Sequence, residues 1–157
     1  MLVRVLRRLT VEEVKRQLKE LEATYGMVFA KFEEKFLETN DPKEKTVEAY
    51  LRWTSLMNAY HGYVEGGELH YTVEEQLDLN KDKLKLLTPR RLELLFALSD
   101  LRAESINSLA HKIRRDVKNV YNDLQILKKL GFVNLVKKKD GRVTPEPIIE
   151  EVTFIMQ

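Results

Sequence analysis

Residues 114–131, RRDVKNVYNDLQILKKLG, constrain the chain more than any other stretch. Val120, Leu124, Leu127 and Leu130 recur at spacings of four, three and three, which aligns them on one face of a helix. Lys118, Asn119, Tyr121, Asn122 and Gln125 fall on the opposite face. Asp116 stands where an N-cap belongs and Gly131 just past the last turn. One side of this helix therefore has to be buried. The other opens with a cation, two amides and a phenol, side chains that read base edges when a helix start enters a major groove. An ordinary surface helix would carry the same caps, so the flanking segments must decide between the two readings.

Upstream, Ser105 begins a helix of about nine residues with Ile106, Leu109, Ala110 and Ile113 as its apolar positions. It meets the long helix across a turn of only two or three residues, a helix-turn-helix spacing. Earlier still, Thr88-Pro89 is an N-cap followed by a proline in the first turn, and Leu92, Leu95, Phe96 and Leu98 supply the expected buried face. Downstream of Gly131 the period changes: Phe132, Val133, Leu135 and Val136 are strand-like, and Lys137-Lys138-Lys139-Asp140-Gly141-Arg142 follows. Asp-Gly after a strand-like run signals a hairpin, here with a cationic tip. Pro145 and Pro147 are expected to stop the return strand early. Ile148, Ile149, Val152, Phe154 and Ile155 then form a last strand or a short amphipathic tail.

Helix, short helix, long helix, basic hairpin is the order of a winged helix-turn-helix, the hairpin being the wing. Charge points the same way. Residues 1–80 carry 11 Lys and Arg against 15 Asp and Glu, whereas residues 81–157 carry 16 against 10. Between Lys112 and Arg142 there are 10 basic residues and three acidic ones, Asp116, Asp123 and Asp140. Basic charge gathered in one segment is the footprint of a polyanion binder.

The segment LAHKIRRDVKNVYNDLQILKKLGFV, residues 109–133, resembles the recognition region of winged-helix transcriptional regulators of the multiple-antibiotic-resistance (MarR) type, most of all a set of predicted archaeal regulators. Leu109-Ala110, Arg115-Asp116, Asn119-Val120-Tyr121, Leu124, Leu127 and Leu130 to Val133 carry the likeness, which extends over about residues 83–144. It implies base contacts from Lys118, Asn119, Tyr121 and Asn122. It implies wing contacts from Lys137, Lys138, Lys139 and Arg142, and backbone contacts from Ser108, His111, Lys112, Arg114 and Arg115. Regulators of this type dimerise through long helices at both ends. Here the C-terminal flank is only Pro147 to Gln157, so a homodimer must use residues 1–65 or that tail.

The first half reads as helical. Leu2, Val3, Val5 and Leu6 make a β-prone start, either an edge strand or a disordered arm. Thr10 and Glu13 form a capping box, and Val11, Val14, Leu18, Leu21 and Tyr25 make a two-heptad seam ended by Gly26. That seam suits a neighbouring helix or a second chain. A second helix spans roughly Val28 to Thr39, with Phe29, Phe32 and Phe36 as core aromatics. Asp41 as N-cap and Pro42 in the first turn open a third helix reaching about Val64. Its wide apolar arc, from Val47 through Trp53 and Tyr60 to Val64, serves either a three-helix core or a partner. Residues 68–86 read as a short helix or irregular linker over Tyr71 to Leu79, then an exposed charged run from Lys81 to Lys85. LKELEATYGMVFAKFEEKF with YLRWTSLMNAY is also similar to small archaeal proteins of toxin–antitoxin pairs. That likeness implies an alternative: an antitoxin that holds a toxin through its helical half and represses its own operon.

Enzyme chemistry finds no foothold. His61, His70 and His111 share no metal-ligand spacing, and the chain has no cysteine. Adjacent glutamate pairs such as Glu12-Glu13 diverge by about 100° on a helix. No phosphate-cradling glycine motif surrounds Gly66-Gly67. No apolar run approaches the roughly 20 residues of a membrane span, and Met1 to Leu9 lacks the features of a signal peptide. The expectation is a mainly α protein with a small β-hairpin wing. Residues 1–66 form a helical oligomerisation segment, 67–83 a linker and 84–157 a winged helix-turn-helix domain. It is expected to be cytoplasmic, without cofactor, metal or catalytic residues. Double-stranded DNA is its partner, with helix Asp116–Leu130 in the major groove and the Lys137–Arg142 wing on the backbone or minor groove.

Overall fold

A computed structural model describes residues 2–156, so Met1 and Gln157, which end the first and last segments read above, lie outside the described residues. Among the described residues the chain is a mixture of seven helices and five strands in two small sheets. It divides into two compact units, Met1–Arg8 with Val73–Gln157, and Leu9–Thr72 inserted between them in sequence.

The inserted unit holds α1 (Val11–Tyr25), α2 (Phe29–Glu38) and α3 (Glu44–Gly66). The capping box forms as read: the Glu13 amide donates to Thr10 Oγ1 at 3.2 Å, and the Thr10 amide to Glu13 Oε2 at 2.8 Å. Its core gathers Val14, Leu21, Phe32, Trp53 and Leu56. Phe32 and Trp53 pack with ring centroids 5.0 Å apart, and Phe36 stacks on Tyr50 at 4.2 Å. The start of α3 departs from expectation. Asp41 turns the chain at φ 55°, and the N-cap is Lys43, which makes no side-chain cap. The wide arc of α3 is only partly buried, since Leu51 and Val64 are exposed.

The other unit is built from both chain ends. β1 (Leu2–Arg8) lies between β2 (Thr72–Asp78) and β5 (Ile149–Ile155). It is therefore a central strand, neither an edge nor a free arm. It runs antiparallel to β5, with Val3 opposite Phe154 and Val5 opposite Val152. Val3, Val5 and Leu79 are buried together. The stretch read as linker thus contains β2 and a short helix, α4 (Lys81–Lys85), capped by Asn80. Its alternation of Val73, Glu75 and Leu77 hid behind a charge: Glu75 points to the half-buried side because Arg7 grips it at 2.8 and 2.9 Å.

α5 (Pro89–Asp100), α6 (Ile106–Lys112) and α7 (Val117–Lys129) enclose the larger core with a hairpin, β3 (Val133–Lys137) and β4 (Val143–Pro147). Leu94, Leu98, Leu109, Val120, Leu124, Leu127 and Phe132 form its centre. Of the expected face of α5, Leu98 is buried and Leu95 packs on the core, but Leu92 and Phe96 are exposed and Leu94 is buried in their stead. Nor do the prolines stop β4. Pro145 pairs with Leu135 and Pro147 with Val133. The Ile148 amide donates toward β3, to Phe132 O. The alternating Pro145 and Pro147 therefore lack their N–H on the open side of a two-stranded sheet, where no bond is lost.

Candidate nucleic-acid interface

The turn between α6 and α7 is set by backbone bonds. The Arg115 amide donates to Ala110 O at 2.9 Å and the Arg114 amide to His111 O at 3.2 Å. This pair of bonds is a Schellman motif, which demands a left-handed residue between the helix and the exit, and Arg114 takes that role at φ 55°. Asp116 then caps α7 by accepting from the Asn119 amide at 3.1 Å. At the far end the same motif recurs with glycine: Gly131 at φ 82°, its amide bonded to Lys128 O and that of Phe132 to Leu127 O. Both ends of α7 are thus closed, and Val120, Leu124 and Leu127, with no exposed surface, hold its inner face.

One carboxylate braces the assembly. Asp123, on the flank of α7, receives Arg91 Nε at 3.0 Å from α5 and Arg115 Nη2 at 2.6 Å from the turn. Arg91 also donates to Leu86 O at 2.8 Å. Burial works to raise the Asp123 carboxyl, but hydrogen bonds from Arg115 and Arg91 outweigh it and hold the group below the ordinary carboxylate value.

The hairpin tip turns through Lys138–Gly141, with the Gly141 amide bonded to Lys138 O at 3.0 Å and Gly141 at φ 87°. Arg142 is held there. Its Nε meets Asp140 Oδ2 at 2.7 Å and its Nη1 meets Glu104 Oε2 at 3.3 Å. The hydrogen bond from Arg142 is the main cause that keeps the Asp140 carboxyl low. Thr144 Oγ1 donates to Glu104 O at 2.8 Å and ties β4 to the loop before α6. A cleft of about 890 Å³ opens between the starts of α6 and α7 and the hairpin tip.

Of the thirteen residues singled out by sequence, His111 is exposed on α6 and the other twelve divide accordingly. Lys118, Asn119, Tyr121 and Asn122 lie exposed together on the outer face of α7, with Lys118 and Tyr121 lining the cleft. Arg114, Lys137 and Lys139 are exposed, with no carboxylate within 4 Å among the described residues. Lys138 lies 3.9 Å from Glu146, and Lys112 Nζ donates to Arg102 O at 3.1 Å. Ser108 is half-buried in α6. Two residues are occupied otherwise than expected. Arg115 is spent on Asp123, and Arg142 is clasped by Asp140 and Glu104. Sequence reasoning missed Asn107 and Val117, which line the same cleft. Val117 was legible only as the first residue after a cap. Among the described residues, no group of three or more His, Cys, Asp or Glu could hold a metal ion. No helix among them is long and apolar enough to cross a membrane.

With this geometry in place, comparison with known proteins adds one finding. Residues 86–152 are similar to the HVO_A0114 family. The similarity takes in α5, α6, α7 and the hairpin and ends within β5, leaving the helical unit outside. No curated protein matches the chain.

Proposed function

We propose that α5 to β4 act as a winged helix-turn-helix and that the protein is a sequence-specific, double-stranded DNA-binding transcriptional regulator of the MarR-like kind. The carrying observation is the exposed quartet of Lys118, Asn119, Tyr121 and Asn122 at the start of a helix whose other face is wholly buried. In this reading α7 enters the major groove, and the amides and phenol meet base edges. Arg114, Lys137 and Lys139 meet phosphates on either side of it. The brace at Asp123 sets the angle at which α7 presents that face.

Selection from a random duplex pool, followed by titration at fixed salt, tests the reading. Asn119→Ala or Asn122→Ala should weaken binding to the selected site by about 1–3 kcal/mol and relax preference at one base position. Equal weakening for every sequence would sink direct readout by that residue. Structured RNA competing as well as duplex DNA would move the assignment to RNA. A homodimer would place its half-sites about 10 base pairs apart, or a multiple of that, and would double the mass in solution.

A second reading rests on the helical unit, where Val28, Leu37, Leu51 and Val64 are 59–69% exposed. These side chains suit a protein partner, as an antitoxin would need. A stoichiometric small protein copurifying from the native source, and lost on Leu37→Ser with Leu51→Ser, supports it. A chain isolated without a partner counts against it.

A further inference from the structure

The first turn of α7 carries something a purely phosphate-binding helix does not need. Val117 is its first residue and is 42% exposed, whereas Val120, Leu124 and Leu127 on the same helix show no exposure at all. Tyr121, one turn on, is 46% exposed. Residues four apart share a helix face, and both line the cleft beside Lys118 and Asn107. Valine is a mediocre helix former, so propensity does not explain it. Beside it in the cleft stand the polar Lys118 and Asn107, so an aliphatic surface left in water costs free energy there unless something apolar meets it.

The major groove presents one apolar group, the 5-methyl of thymine. The first turn of a recognition helix is the part that reaches base edges. We infer that Val117 and Tyr121 form a thymine-methyl reader next to Asn122, whose amide suits the N6 and N7 of adenine. Each half-site then contains at least one A·T pair read from both strands. This deepens the DNA-binding reading proposed above and rests on it. It adds Val117, and an apolar role for Tyr121, to the residues that set specificity.

Deoxyuridine differs from thymidine only in lacking that methyl group, so it isolates the contact. Duplexes selected by the full-length protein are resynthesised with each thymine in turn replaced by deoxyuridine. Replacement at one position per half-site should weaken binding about fourfold, the worth of one buried methyl group. In Val117→Ala the ratio between thymine and deoxyuridine at that position should fall toward one, whereas Val117→Ile should keep it. The dependence of affinity on salt should stay unchanged in both variants, because no phosphate contact is touched. That unchanged slope also separates a lost methyl contact from a misfolded domain. A selected site at which every thymine tolerates deoxyuridine overturns the inference and leaves the DNA reading standing. So does a thymine preference that Val117→Ala retains. A pool in which no duplex is enriched overturns both.

Discussion

Arg114 occupies a backbone position that helix ends normally give to glycine, with φ 55°. A side chain in the left-handed region costs about 1–2 kcal/mol. Glycine would remove that cost while losing about 0.5–1 kcal/mol to greater freedom in the unfolded chain. Arg114→Gly should therefore stabilise the fold by about 0.5–1 kcal/mol, read as a higher denaturant midpoint. If the guanidinium meets a phosphate, the same variant should bind DNA more weakly, with the slope of log affinity against log salt reduced by about one. Opposite signs for stability and binding are the expected outcome. A variant that gains stability and binds unchanged would leave Arg114 outside the interface. The strain at this residue was invisible in sequence, since Ile-Arg-Arg-Asp carries no glycine to announce a left-handed turn.

At the scale of elements, the hairpin and α7 are each held by one polar brace. On the hairpin, Arg142 is bound to Asp140 and Glu104, and Lys138 faces Glu146, while Lys137 and Lys139 have no carboxylate within 4 Å among the described residues. Free cations release more counterions on binding than cations already neutralised. Lys137→Gln with Lys139→Gln should lower the salt slope by about two, and Lys138→Gln by less than one. Equal slopes for all three lysines would show that the intramolecular pair is too weak to matter. On α7, Asp123 has its folded-state pKa lowered by Arg115 and Arg91. A depressed carboxyl contributes stability above its unfolded value and loses it as pH falls through the folded one. The contribution is therefore whole at neutral pH and fades below about pH 4. Asp123→Asn should cost about 3 kcal/mol at pH 7, since it strands two partly buried guanidinium groups. Melting curves of the variant and the parent should converge as pH drops from 4 toward 2. A gap constant across that range would mean that Asp123 acts by shape alone.

For the whole molecule, the unit that carries α7 is closed by the first strand of the chain. β1 separates β2 from β5 and buries Val3 and Val5 against Leu79. A fragment cut at residues 84–157, the domain boundary that local patterns suggest, keeps every helix of the proposed reader but leaves β5 without its antiparallel neighbour. Hydrogen exchange should find the β5 amides unprotected in that fragment and protected in the full chain. Protection in the fragment would show that β5 has another partner.

What local spacing determined were α1, α2, α5, α6, α7 and the hairpin, because caps and turns are bonds between residues within about five positions of one another. Thr10 with Glu13, Asp116 with Asn119 and the Gly131 exit all belong to that class. The tertiary structure alone decided the rest. β1 and β2 join in one sheet through partners such as Arg7 and Glu75, 68 positions apart. β4 tolerates its prolines because, among the described residues, it pairs with β3 alone. Leu92 and Phe96 stay exposed because α5 turns Leu94 and Leu98 inward. The same holds for the cations. A count of basic residues reads Arg115 and Arg142 as available, yet Arg115 meets Asp123 across the turn, and Arg142 meets its near neighbour Asp140 and, through the fold, Glu104. Charge is a property of the residue, but whether that charge is free to meet a ligand depends on where the backbone sets its neighbours, near or distant in the chain.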